Sequence, residues 1–243
     1  MRWRRRRDQG DAEDRGSQPS AATARSAQPD GFRLPEGLAL SAEAESGLRD
    51  ALWREVLLGC TDPDDMLESL EEELSGWGID DATAEAAAQA VVRARSAQQA
   101  RWADEVTVSN LLAAFEDLAG IGVVARDHFS CCGTCASSEI WDERDDSRTW
   151  RGYVYFHQQD TESLIEERST YIGYGAFLDA WLPEAEWVAL PDDQKDARYA
   201  DIVRGLMEGE VFPLLRRHGI AVTWDGDLGR RILLENADYY VPV

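Results

Sequence analysis

Gly152-Tyr153-Val154-Tyr155-Phe156-His157-Gln158-Gln159-Asp160-Thr161-Glu162 is the stretch on which the fold turns. Its first half alternates aromatic and β-branched side chains with others, the period-2 pattern of a strand. Its second half is polar. Asp160 or Thr161 supplies an N-cap there, and a short helix follows through Leu164 and Ile165. A strand running straight into a helix is the repeating unit of α/β and α+β domains.

Working outward, the same alternation continues. Upstream, Ser109 caps a helix carrying Leu111, Leu112, Phe115 and Leu118 on one face, and Gly120 stops it. Residues 121–129 read as a strand with Val123 and Val124 buried. Residues 136–145 read as a helix with Ile140 and Trp141 inward. Downstream, residues 171–177 read as a strand and residues 196–218 as a long helix that Pro213 kinks. Residues 221–224 and 230–234 then form a hairpin around Asp225-Gly226-Asp227. This pattern predicts one mixed, partly antiparallel sheet of about five strands with flanking helices, α/β or α+β in class.

The chain before this region is different in kind. Residues 1–32 are polar, rich in small residues and arginine, and read as a disordered tail. Residues 33–106 read as a helical subdomain, and residues 107–243 as the α/β domain. In the subdomain, Leu48, Leu52 and Val56 recur at helix spacing until Gly59. Asp62-Pro63 opens a helix through Met66, Leu67, Leu70 and Leu74. Asp80 caps a third with an alanine-rich face at Ala84, Ala87 and Ala88.

Charge narrows the function classes. The 243 residues carry 47 acids against 25 bases, a net charge of −22. Five of the arginines lie in residues 1–7, so the remainder holds 20 bases against 47 acids and stands at −27. A nucleic-acid backbone meeting that surface would be repelled, which leaves nucleic acid out for the folded domain and favours a basic protein as partner. No apolar run of about 18 residues suggests a membrane span, and the arginine-rich start lacks the apolar core of an export signal. A cytoplasmic location is the expectation. Three clustered cysteines among four in a chain this long agree with a reducing compartment.

Two segments carry candidate chemistry. In His128-Phe129-Ser130-Cys131-Cys132-Gly133-Thr134-Cys135, a C-x-x-C pair lies between a strand and a helix. Amide groups at a helix start lower a thiol pKa, so Cys132 and Cys135 are candidates for thiol–disulfide chemistry. Zinc is a rival, with Cys131, Cys132, Cys135 and His128 as candidate ligands, although no second C-x-x-C closes a tetrahedral site. A third reading makes them small thiols filling a tight turn. In the second segment, His157 can act as a general base oriented by Asp160 or Glu162. The bland alternative is that Asp160 or Thr161 caps the helix while His157, Gln158 and Gln159 satisfy backbone groups. Tyr174, Trp224 and Asp225 complete the candidate binding residues, and a bulge at Tyr174-Gly175 or a hairpin turn at Trp224-Asp225-Gly226 explains them equally well. Neither a phosphate-cradling glycine loop nor a nucleophile elbow nor a His-Glu-x-x-His is present.

The Phe129 to Cys135 run, the Gly152 to Glu162 run, Tyr174-Gly175, Val222-Thr223-Trp224-Asp225-Gly226 and Arg231-Ile232 together resemble a bacterial domain-of-unknown-function family, number 6891, over roughly residues 50–234. The resemblance implies no activity. The chain departs from the family pattern at Ala136 and Ser137, where Gly and His are expected, and in an insertion at residues 180–193. With no complete catalytic constellation, the leading expectation is an acidic, non-catalytic interaction module, immunity- or inhibitor-like, with no cofactor. The alternatives are a thiol-dependent oxidoreductase and a zinc-binding protein.

Overall fold

The computed structural model describes residues 23–102 and 108–243, so the arginine-rich start lies outside the described residues. The N-terminal bundle is built, among the described residues, from α1 (Ala42–Leu57), α2 (Pro63–Ser69), α3 (Glu71–Trp77) and α4 (Asp81–Gln99). Their starts follow side-chain chemistry. Ser41, Asp62 and Asp80 accept the amides of Ala44, Asp64 and Thr83, and Pro63 fills the first turn of α2. The single helix expected from Pro63 through Leu74 is two. The break falls at Leu70 (φ −111°, ψ 15°), whose amide closes a turn on Leu67. In an unbroken helix, positions four apart drift about 40° per step around the axis; the break keeps Met66, Leu70 and Leu74 all buried. Opposite them, Ala84, Ala87, Ala88 and Val91 are fully buried, and their small size lets α1 and α4 approach closely.

Residues 25–32 lie against this bundle. Trp53 donates its indole N–H to the Ser26 carbonyl, and the Gln28 side chain bridges Arg49 and Asp50. Arg95 is fully buried among Trp53, Trp102 and Tyr240, with its guanidinium carbon 4.9 to 5.8 Å from their ring centroids. Burial pulls its pKa down to about 10, so it stays charged at neutral pH; among the described residues it is held by three π faces and by the Gln98 side chain and the Arg25 carbonyl, with no carboxylate.

After α5 (Asn110–Gly120), the chain alternates as the sequence suggests: β1 (Val123–Arg126), α6 (Gly133–Glu139), β2 (Gly152–Tyr155), α7 (Gln158–Glu167) and β3 (Ser169–Ala176). Helices α8 (Glu184–Ala189), α9 (Asp192–Leu206) and α10 (Phe212–Arg217) lead to β4 (Ala221–Thr223) and β5 (Ile232–Glu235). The strands form one five-stranded sheet ordered β1-β2-β3-β5-β4. β1 and β2 are parallel, and every other neighbour pair is antiparallel. One face packs Val123, Val154, Ile172, Ile232 and Leu234 against α5, α9 and α10. The other face, along β1 and β2, packs Val124 and Tyr155 under Ala136 of α6 and Ile140 just past its end.

Three further expectations need correction. Ser109 stands at the N-cap of α5, but among the described residues its buried hydroxyl has no partner; Asn110 anchors that end by bonding the backbone of His218, Asn236 and Asp238. The helix after the cysteines ends at Glu139, so Ile140 is buried while Trp141 turns outward. The long helix is interrupted before Pro213, where residues Met207–Val211 adopt π-helical bonding. Proline lacks an N–H and crowds the carbonyl four residues back, and a wider turn relieves both.

The C-terminal residues cross back to the helical region: the Val241 amide bonds the Leu57 carbonyl at 2.7 Å, and Tyr240 enters the α1–α4 core. Among the described residues, no helix is long and apolar enough to cross a membrane.

Candidate functional site

Residues 127–132 carry the chain from β1 to α6. The Phe129 amide bonds the Phe156 carbonyl at 2.9 Å, and the Gln158 amide bonds the Ser130 carbonyl at 3.1 Å, so the parallel pairing of β1 and β2 extends past both strands. His128 (φ 46°) and Ser130 (φ 60°) are left-handed there, a conformation that non-glycine residues adopt at a cost and that these bonds hold in place. The turn delivers Cys132 to the N-cap of α6 in an extended conformation.

All four cysteines are free thiols. The sulfurs of Cys131, Cys132 and Cys135 lie within 4.8 Å of one another, with Cys131 exposed and the other two partly so. The amides of Cys135 and Thr134 hold the Cys132 thiol below its ordinary pKa. Cys135 moves the other way, pushed up to about 11 by Cys131 and Cys132. Three sulfurs this close cannot all ionise without a counter-charge. Cys60 belongs to another environment, beside the Asp62 carbonyl.

His157 caps α7 and packs beside the same turn. A Cβ placed on Gly133 would sit 3.6 Å from its Cδ2. Its backbone N–H donates to the Asp160 carboxylate at 3.3 Å, and its Nε2 lies 3.1 Å from Asp160 Oδ2. Asp160, expected as cap, is thus the third residue of the helix reaching back to the cap. Arg231 on the approach to β5 grips both Asp160 oxygens, at 3.0 and 2.5 Å, and also donates to the Tyr171 carbonyl. Nε2 stands between the Asp160 carboxylate and Arg231 Nη1, 3.4 Å away, so the tautomer decides whether it donates or accepts, and among the described residues the buried Nδ1 has no partner. Tyr155 donates to the Gly133 carbonyl at 3.4 Å, and its ring fills the space over Gly173, where a Cβ would come within 2.5 Å of Cζ.

The other candidates are placed elsewhere. His128 is outside the thiol group; its Nδ1 lies 2.8 Å from the Thr161 hydroxyl. Glu162 pairs with Arg54 of α1 at 2.8 Å, which ties the two cores rather than orienting His157. Gln158 and Gln159 are exposed on the first turn of α7. Tyr174, Trp224 and Asp225 belong together at the closing hairpin: the Trp224 indole donates to the Tyr174 hydroxyl, and Asp225 accepts the Asp227 amide. The sequence pattern alone does not mark Arg231 and Tyr155 as site residues. The signal for Arg231 was an arginine opening an otherwise apolar strand, Arg231-Ile232-Leu233-Leu234.

Burial holds both His128 and His157 below the ordinary histidine pKa. Asp127 opposes this at His128; at His157, Asp160 opposes it and Arg231 reinforces it. A group with a depressed folded pKa contributes fully above its unfolded value, near 6.5, and loses that contribution as pH falls through the folded value. The urea midpoint therefore falls more on going from pH 7.5 to pH 5.5 than it does in a His128→Gln/His157→Gln variant, since the general surface charge is common to both. Parallel pH profiles would refute the assignment.

Fold and site together define a mixed-sheet α/β protein with clustered thiols at a strand-to-helix junction. Its family follows from the sequence match: the chain belongs to the family described as domain of unknown function DUF6891, whose model covers residues 41–241. No curated protein and no solved structure matches it.

Proposed function

We propose that the chain is a metal-binding protein whose centre is the Cys131, Cys132 and Cys135 thiol cluster, taking a soft cation such as Zn²⁺. The convergence of the three sulfurs within 4.8 Å carries the reading. On a tetrahedral zinc with Zn–S bonds of about 2.3 Å, sulfurs stand about 3.8 Å apart, so the cluster need close by only about an ångström. A cation also supplies the counter-charge that three adjacent thiolates lack, and an acidic chain draws cations toward it. Three protein ligands leave a fourth coordination position for water or an exchangeable ligand. The exposure of Cys131 suits an ion that comes and goes rather than one sealed into a core. A cytoplasmic, reducing setting would keep the three thiols available.

Titrating the metal-free protein with Zn²⁺ against a chromophoric chelator tests this. One ion binds per chain, and Cys131→Ser, Cys132→Ser and Cys135→Ser each weaken binding by more than about 100-fold, beyond the usual loss from removing an outer-shell partner. Affinity rises with pH, because the proton Cys135 holds to about 11 must leave on binding. Binding that survives the loss of Cys131 would exclude a three-thiolate centre.

The opposite shifts of Cys132 and Cys135 favour a second reading, a dithiol of nucleophile and resolving thiol. Cys132 thiolate would attack a substrate disulfide and expel one thiolate. Cys135, losing its proton, would then attack the Cys132 sulfur and release the second, leaving a Cys132–Cys135 disulfide. Exchange with glutathione disulfide that needs Cys132 and Cys135 but not Cys131 would favour it over metal binding.

A further inference from the structure

Beyond the far end of α6, residues 141–150 and residues 178–189 border two adjoining depressions that share Trp141 and Asp179. The smaller, about 270 Å³, is walled by Trp141, Leu178, Leu182 and Trp187, with Asp179 and Glu184 on its edge. The larger, about 530 Å³, runs past Asp142, Asp145 and Asp146. Trp141 is 43% exposed and Val188 67%. Large apolar side chains left in water beside a groove mark a contact surface.

The charges around it are unbalanced. Five carboxylates line the two depressions against two arginines, and both arginines are already committed. Arg144 holds both oxygens of Asp179, at 3.0 and 3.1 Å, with its guanidinium 5.1 Å over Trp141 and 4.5 Å over Phe177. Arg148 donates to the Ala119 carbonyl and lies over Trp150. Among the described residues, Asp142, Asp146 and Glu184 make no ion pair.

We propose that this double depression docks an arginine-rich segment of a partner protein. The aliphatic stem of one arginine lies along the indoles of Trp141 and Trp187, and its guanidinium meets Glu184. Neighbouring arginines pair with Asp142 and Asp146. Arg144 makes the same combination of carboxylate and aromatic faces within the chain. Lysine fits less well, because a compact, strongly hydrated ammonium offers neither the planar fork nor the stacking surface.

The test is fluorescence anisotropy of the full chain with a fluorescein-labelled peptide, Arg-Leu-Arg-Arg-Leu-Arg-Arg, beside its lysine counterpart. Trp187→Ala, and separately an Asp142→Asn/Asp146→Asn/Glu184→Gln variant, each weaken binding of the arginine peptide by about tenfold. The second variant changes only exposed groups, so it keeps the test valid if Trp187→Ala disturbs the fold. A control removing three charges elsewhere, Glu71→Gln/Glu72→Gln/Glu73→Gln on α3, leaves affinity within about twofold, and the lysine peptide binds more weakly. Equal losses in the control would reduce the interaction to diffuse attraction and overturn the proposal. So would unchanged affinity in the groove variants, or self-association of the free chain that Trp187→Ala abolishes, which would assign the groove to a second copy.

Discussion

Replacing Phe156 with alanine lowers the unfolding free energy by about 3–5 kcal/mol, the range for emptying a fully buried aromatic site. Phe156 has no exposed surface, and its ring meets Phe115 of α5 at 6.1 Å and Tyr239 edge-on at 5.3 Å. Neither neighbour can fill the void alone, since each is fixed on a different segment. A chain of this length shifts its melting temperature by roughly 2–4 °C per kcal/mol, so calorimetry should register a fall of about 10 °C. The same residue's backbone joins the cysteine turn to β2 through Phe129 and Arg126. Amide exchange of Phe129 therefore accelerates in the variant more than that of residues on α4. Tyr171→Ala is the comparison, because that ring is half-exposed and its loss should change stability little. Comparable effects at the two sites would show that Phe156 is not the packing centre the geometry makes it.

The alternating run at residues 152–156 was legible for a simple reason. β2 lies inside the sheet, so both of its faces are constrained, and only β-branched, aromatic or glycine residues fit. The closing hairpin and the capped starts of α1, α2 and α4 were legible through local chemistry that needs no tertiary partner. What the residues could not disclose is pairing across distance. That Asp160 orients His157 was legible from their spacing, but that it also meets Arg231 depends on β5 lying beside β3, which pattern alone does not order. The outward turn of Trp141 depends on where α6 stops, and Ile140 beside it is equally apolar. The cysteine cluster was partly legible. Spacing placed Cys132 and Cys135 on one turn, but the return of Cys131 toward them follows from left-handed His128 and Ser130, non-glycine positions whose conformation composition does not announce.

The Asp160–Arg231 pair gives the second large effect and the sharper test of the site. Asp160 is mostly buried, while about a third of the Arg231 side chain is exposed. Removing one member of a buried pair strands the other at about 3–5 kcal/mol, and solvent reaching Arg231 brings the figure to about 2 kcal/mol. Asp160→Ala should sit at the upper end, because it also strands the His157 amide. Arg231→Met costs less, since the His157 backbone amide still donates to Asp160. The double variant then costs less than the sum by about 1–2 kcal/mol, the coupling expected of groups in one network. The two changes also move His157 in opposite directions. Asp160 raises its pKa and Arg231 lowers it, against a background of burial that lowers it. A nuclear magnetic resonance titration of His157 should show a further fall in Asp160→Ala and a rise in Arg231→Met. A stability loss alone would follow from almost any disturbance of α7. Opposite shifts at one imidazole follow only if carboxylate and guanidinium both face it, and shifts of the same sign would break the cluster into unrelated contacts.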